Sequence, residues 1–137
     1  MSLSNFSFLG KNVIDFKGWF IDILNHLSAK NYNNGDWVPV ITGMTGTPIV
    51  SAWFQRFGIE CSFTIIINGT HTMNDGAEIT LPVQPNGHGV IVMHSLTTNS
   101  TIGTACIDST ALKAKIPNYF VTDELVIVRG FYRVIGI

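Results

Sequence analysis

The chain has 137 residues, of which 46% are hydrophobic and only 12% are charged, and its formal net charge is −1. This length holds one domain with its own core and a short appendage. A balanced charge without a basic run excludes the electrostatic footprint of a protein that binds nucleic acid or an anionic membrane surface. The charged share is well below the roughly 25% usual in globular proteins, which predicts that other protein covers much of the surface.

The N-terminal segment 1–11 places Phe6 and Phe8 among Ser, Asn and Gly. This composition predicts an extended arm that docks on a partner, and the alternative is a frayed terminus. The segment has neither a positively charged start nor a long apolar run, so we expect no signal peptide. Apolar runs throughout the chain stay below the roughly 18 residues of a membrane span, so we expect no membrane contact.

Residues 13–28 repeat apolar side chains at steps of three and four, which is the period of a helix with an apolar stripe. Asn12 is a suitable N-cap, and Trp19 widens the apolar side beyond one stripe. Such a helix packs on the domain that follows, bundles with copies of itself, or binds another protein. We therefore predict a partner-binding surface in the N-terminal segment, formed by Phe6, Phe8, Phe16, Trp19, Phe20, Ile23 and Leu27.

The cluster Lys30–Asp36, KNYNNGD, is rich in Asn and Gly and predicts a linker. It divides the chain into two parts. Residues 1–36 form an N-terminal arm and helix for attachment or oligomerisation, and residues 37–137 form a β-sandwich domain.

The β domain is predicted to be organised around a long strand that ends at Ile67. Between Phe57 and Ile67, apolar residues alternate with small or polar ones such as Glu60 and Ser62. This period of two is the signature of a strand with one buried face. Gly58 predicts a bend or a tight backbone approach.

Turn signals separate further short strands at intervals of about 8–12 residues, a pattern typical of a sandwich or jelly roll. The predicted fold class is mainly β: an antiparallel β-sandwich, jelly-roll-like, preceded by a short N-terminal arm and one α-helix. The predicted segments are a strand at Trp37–Ile41, a loop at Gly43–Pro48, a strand pair or one bent strand at Ile49–Ile67, a hairpin turn at Asn68-Gly69, a strand at Ala77–Leu81, a hairpin of Gly89–Leu96 with Ser100–Ile107, and a last strand at Leu125–Ile137.

Residues that could carry chemistry are scattered. The four histidines lack metal-ligand spacing, the carboxylates form no glycosidase-like pair, and no serine lies in a nucleophile motif. We therefore expect no catalytic residue, no metal and no cofactor, and predict that the chain is not an enzyme. His94 alternates in phase with Val90 and Val92, which indicates an inner or interface histidine. Cys61 and Cys106 are predicted to be small buried side chains, and a disulfide requires that their strands be neighbours.

Two arginines lie in the last predicted strand, Arg129 and Arg133. An arginine on a mixed strand face either pairs with a carboxylate, here Glu60 or Glu78, or reaches water from the strand end. We slightly favour the pair.

Three short motifs follow one another in the β domain: W-x-P-V at Trp37–Val40, Q-R-F-G-I-E-C-S-F at Gln55–Phe63, and I-x-L-P at Ile79–Pro82. In this order and spacing they resemble small β-sandwich domains in virion proteins of tailed bacteriophages. The second motif looks like the strand pattern R-x-G-x-x-V-x-F of those domains. The resemblance covers residues 37–137 and does not extend to the helical segment.

The resemblance implies a virion protein assembled in the host cytoplasm, because such domains occur in fibres and in capsid decoration proteins, commonly as homotrimers. The chain length favours a decoration protein or head-fibre base that docks on a major capsid, tail or collar protein through its N-terminal segment. The alternative is a receptor- or glycan-binding module of a tail fibre, with Trp53, Tyr119 and Tyr132 available to stack on sugars. A hydrolase on the same scaffold is the third hypothesis.

Overall fold

The computed structural model describes residues 16–23, 32–108 and 111–135. These residues form one helix, α1 (16–23), and eight strands. The strands are β1 (Tyr32–Asp36), β2 (Ile41–Gly46), β3 (Ile49–Phe57), β4 (Glu60–Thr80), β5 (Pro85–Ser95), β6 (Ser100–Ile107), β7 (Lys113–Lys115) and β8 (Tyr119–Val134).

The strands of the described part form one antiparallel sheet. Its main path runs β1, β3, β4, β8, β5, β6, while β2 and β7 pair with the far half of β4. The prediction of a mainly β, antiparallel protein with a short helix is therefore confirmed. The sheet does not close on itself, because β1 and β6 lie at the two ends of the path.

The central element is β4, which has 21 residues and pairs with β3 along one edge and β8 along the other. Its first half alternates as the sequence predicts, with Cys61 and Ile67 at the ends of a buried apolar series. Phe57 and Ile59 do not continue this series. They are exposed where the chain turns from β3 into β4. Gly58 occupies that turn with a φ of 61°, so Ile49–Ile67 is a strand pair rather than one bent strand.

The hairpin predicted at Asn68-Gly69 is wrong, because β4 continues to Thr80. Gly69 has a φ of 121°, and the pairing of β4 with β8 shifts register between Gly69 and His71. A glycine at this point lets the strand bend without ending. The far half of β4 can then pair with β2, which forms where the sequence predicted the loop 43–48.

The linker predicted over Lys30–Asp36 is wrong for its last five residues, which form β1. This strand runs antiparallel to β3, with Asp36 opposite Trp53. Hydrogen bonds between backbone N–H and C=O groups hold such an edge strand in place. The strand can therefore form without alternating apolar side chains. The sheet therefore begins at Tyr32, before the predicted start of the β domain.

The core lies on one face of the sheet and draws on β4, β5 and β8 above all. The predicted hairpin of β5 and β6 is confirmed, and its turn includes Asn99 with a φ of 52°. Tyr132 is buried in the core, where its hydroxyl donates to the Val83 carbonyl at 2.6 Å and accepts from the Val83 N–H at 3.1 Å. This tyrosine therefore ties the loop after β4 to the middle of the sheet.

A glycine is required at position 89, where β5 passes closest to β8. A Cβ atom added to Gly89 would lie 2.6 Å from the Phe131 carbonyl oxygen and 2.8 Å from Tyr132 Cα. Both are backbone atoms, so they cannot move aside as a side chain would.

We expect Gly89→Ala to lower the free energy of unfolding by about 1–3 kcal/mol, the range of overpacking in a close-packed interior. The matched control is Gly35→Ala in the edge strand β1, because the nearest atom to its added Cβ is Phe54 Cε1 at 3.9 Å. The control should change the free energy of unfolding by less than about 1 kcal/mol. Denaturant unfolding measures both, and equal midpoints for the two variants would contradict the close approach.

Candidate interaction surface

The face of the sheet opposite the core is called the outer face here. It consists of the side chains of β3, β4, β8, β5 and β6 that point away from the core. Strand register places them in three rows that cross all five strands. The rows are Ser51, Ile66, Ile127, His94, Thr101; then Trp53, Thr64, Arg129, Val92, Thr104; then Gln55, Ser62, Phe131, Val90, Cys106.

The outer face carries large apolar side chains among its polar ones and is left open by the described chain. Trp53 is 43% exposed and Phe131 is 59% exposed, and Val90 is exposed beside Phe131. A shallow hollow of about 450 Å³ runs between β4, β8 and β5 and is lined by Val92, Phe131 and their neighbours. Large exposed apolar patches on a folded domain mark interaction sites. The outer face is therefore the strongest candidate for a functional surface in the described part.

The outer face also carries polar groups, because eight of the fifteen side chains in the three rows are polar. His94 Nδ1 lies 3.2 Å from Thr101 Oγ1 across the β5–β6 pair. Arg133 lies opposite Glu60 in the register of β8 with β4, and Arg129 lies opposite Thr64. Neither arginine forms an ion pair with another described residue, so the predicted pairing with Glu60 or Glu78 is wrong for the chain on its own.

The N-terminal surface predicted from the sequence is described only in part. Phe16, Phe20 and Ile23 are exposed on α1. The ring of Phe16 packs against that of half-buried Trp19, with centroids 5.6 Å apart. The other predicted members, Phe6, Phe8 and Leu27, lie outside the described residues. The partner-binding role of this set stays a prediction.

The sequence analysis missed the outer face as a site, because it placed the partner-binding residues in the N-terminal segment alone. One signal for it was present. Val90, Val92 and His94 alternate with the buried Ile91 and Met93, which marks β5 as apolar on both faces. Only the tertiary structure decides that one of these two faces is uncovered.

The described cysteines do not form a nucleophile site. Cys61 is buried, and its burial raises the pKa of the thiol. A buried, protonated thiol is inert. Cys106 is exposed on the outer face, so the prediction that it is buried is wrong, and both cysteines are free. The described residues also contain no group of three or more side chains able to hold a metal.

A buried polar pair that the sequence analysis missed is structural. His71 Nδ1 lies 2.7 Å from the Gly69 carbonyl oxygen, and Nε2 lies 2.6 Å from the Tyr119 hydroxyl. The pair fixes β4 where its register shifts against β8. Tyr132 is buried, so its ring is not available to stack on a sugar. Tyr119 is half-buried, and its ring meets that of His71 edge-on with centroids 5.4 Å apart. Of the three aromatic residues proposed for that role, Trp53 remains.

The three sequence motifs contact one another at one end of the core. Val40 N–H donates to Thr80 Oγ1 at 2.8 Å, and Thr80 N–H donates to the Val40 carbonyl at 3.1 Å. These contacts join the first motif to the third. The Trp37 ring meets Phe63 of the second motif edge-on, with centroids 5.8 Å apart. The motifs therefore form a packing unit, and their order and spacing follow from the fold.

Comparisons with protein-family models, curated proteins and solved structures found no match for the chain. Among the described residues, no helix has the length and hydropathy to cross a membrane.

Arg56 of the second motif is a structural arginine. Its Nη2 donates to the Ile135 carbonyl at 2.7 Å and its Nε donates to the Gly58 carbonyl at 3.4 Å. The side chain therefore joins the β3–β4 turn to the end of β8.

We expect Arg56→Gln to lower the free energy of unfolding by about 1–2 kcal/mol, because it removes charge-assisted hydrogen bonds to the backbone. Lys113→Gln, an exposed cation on β7, is the control and should stay within about 0.5 kcal/mol of the wild type. Thermal and denaturant unfolding of both variants gives the comparison. An unchanged Arg56→Gln midpoint would leave Arg56 free for a binding role instead.

Proposed function

We propose that the chain is a non-enzymatic structural protein of a phage virion, a capsid decoration or head-fibre protein that assembles as a homotrimer. The observation that carries the proposal is the open apolar outer face of the sheet. A monomer with Trp53 and Phe131 exposed on one continuous face is a poorly soluble protein. The low share of charged residues supports the same reading, because copies with a net charge of −1 repel one another little.

The order of the three motifs supports the virion assignment. They are the basis of the resemblance to β-sandwich domains of tailed bacteriophages, and their mutual contacts give the spacing a physical reason. A jelly-roll arrangement within the assembled virion belongs to this proposal. Its partners are other copies of the chain and a major capsid, tail or collar protein, and assembly takes place in the host cytoplasm.

The N-terminal segment serves as the attachment element in this proposal. Most of the stability of a helix in a protein comes from the packing of its apolar face. Phe16 and Phe20 stack side by side with centroids 6.3 Å apart, yet both remain exposed. A helix of this kind gains its stability from the surface on which it docks.

A receptor- or glycan-binding module of a tail fibre is the second candidate. Trp53 favours it, because its exposed indole lies on the outer face beside Gln55 and Thr64. Aromatic rings of this kind stack on sugar rings when polar side chains flank them.

The assembly state is tested by the solution mass of the full chain. Light scattering is expected to give about three times the 15.0 kDa of one chain, with a fraction of smaller species that grows on dilution. A monomer at every concentration up to the solubility limit would contradict the proposal.

Attachment is tested by the substitution Phe20→Asp in the full chain. We expect this variant to keep the wild-type solution mass and to be lost from phage particles purified from the producing host, because the charge disrupts the apolar side of α1. Phe120→Asp is the matched control: Phe120 is 80% exposed on β8, far from the helix in sequence, and should be retained in particles. Quantitative mass spectrometry of the particles measures both. Equal retention of the two variants would argue against α1 as the anchor.

A further inference from the structure

We propose that the outer face is the surface through which copies of this chain contact one another, sheet against sheet. The inference rests on the proposed self-association and adds which surface carries it. Trp53, Phe131 and Val90 are the large exposed apolar side chains of this contact, and a second copy covers them. The core face is already filled by the chain itself, so the outer face is the one left to bury.

The size of the outer face can be compared with that of a standard interface. It spans five strands at about 4.8 Å each, which gives a width of about 24 Å. Its three rows cover Ser51–Gln55 of β3, a length of about 17 Å. The resulting flat area of about 400 Å² is about half of the roughly 800 Å² that each partner contributes to a standard interface.

A second sheet matches the shape of this area better than a single helix does. A helix has a diameter of about 10 Å, which is less than half of the width of about 24 Å. The exposed side chains instead spread from Trp53 on β3 to Val90 on β5, across four adjacent strands. Sheets bury such faces by packing on each other at about 10 Å.

The composition of the face agrees with an interface. Its three rows hold two aromatic side chains, several branched aliphatic ones and one arginine, and lysine is absent from them. Interface cores show the same enrichment in aromatic residues and depletion of lysine.

The positions of Arg129, Asp36 and Glu60 favour a particular offset between neighbouring copies. Arg129 lies in the middle strand of the middle row, so a contact centred on it would place two guanidinium groups together. The carboxylates that point to the same side, Asp36 and Glu60, lie at the margin of the face, opposite Trp53 and Arg133 in the strand register. An offset that places the margin of one copy over the centre of the next pairs Arg129 with a carboxylate. A closed ring of three copies uses such a heterologous contact, in which two different parts of the face meet.

The test is the substitution Phe131→Lys in the full chain, with Phe120→Lys as its matched control. Both residues are exposed phenylalanines of β8, but Phe120 lies at the other end of the strand, opposite Thr72. Loss of a central aromatic anchor is expected to raise the dissociation constant of the assembly at least about 30-fold. Phe120→Lys should leave it unchanged. Sedimentation over a concentration series measures both, and far-ultraviolet circular dichroism checks that each variant is folded.

A second measurement needs no variant. Cys106 lies on the outer face opposite Val90, while Cys61 is buried in the core. The rate at which maleimide alkylates Cys106 in the wild-type chain should fall as the protein concentration rises through the dissociation constant. A rate independent of concentration in a chain that does assemble would overturn the inference, and so would a folded Phe131→Lys that keeps the wild-type mass. Either result leaves the proposed function standing. If the wild-type chain never assembles, the result contradicts both this inference and the proposed function.

Discussion

The fold depends on one constraint: β4 must keep its apolar side chains on a single face through 21 residues. A period of two sends alternate side chains to opposite faces, so one slip would move Phe63 and Ile65 out of the core. The glycine at position 69 and the His71–Tyr119 pair allow the strand to bend without such a slip. Every other strand except β1, β5 and β6 pairs directly with β4 within the described part.

This constraint also produces the outer face. The side chains on one face of β4, β8 and β5 pack in the core. The side chains on the opposite face of these strands therefore form a second, continuous surface. In a monomeric antiparallel sheet that surface is usually polar. Here it holds Trp53, Ile66, Ile127 and Phe131, and the described chain does not cover it. The proposed assembly follows from these large apolar side chains on a face that no other described residues cover.

The sequence predicted the parts of the fold that depend on local alternation. The buried series from Cys61 to Ile67 and the hairpin of β5 and β6 are examples, because their apolar period and turn residues are read directly from neighbouring positions. The sequence did not predict β1, because backbone pairing holds this edge strand of Tyr, Asn, Gly and Asp. It also failed at Asn68-Gly69, where the same dipeptide that signals a hairpin serves instead as a bend.

The candidate site was harder to predict than the fold. The sequence showed that Val90 and Val92 share a face with His94, but exposure is a property of the whole structure. Register between β3, β4, β8 and β5 brings Trp53 into the same surface as Val90, although the two lie far apart in the chain. Strand order, which single-sequence patterns do not give, was therefore the missing information.

A crystal structure of the full chain, grown from solution in which it is assembled, tests the central claim most directly. The account predicts that the outer faces of the three copies turn toward one another, with Trp53 and Phe131 buried between neighbouring copies. Copies joined only through α1 or through the edge of β6, with both aromatic side chains left in solvent, would contradict it.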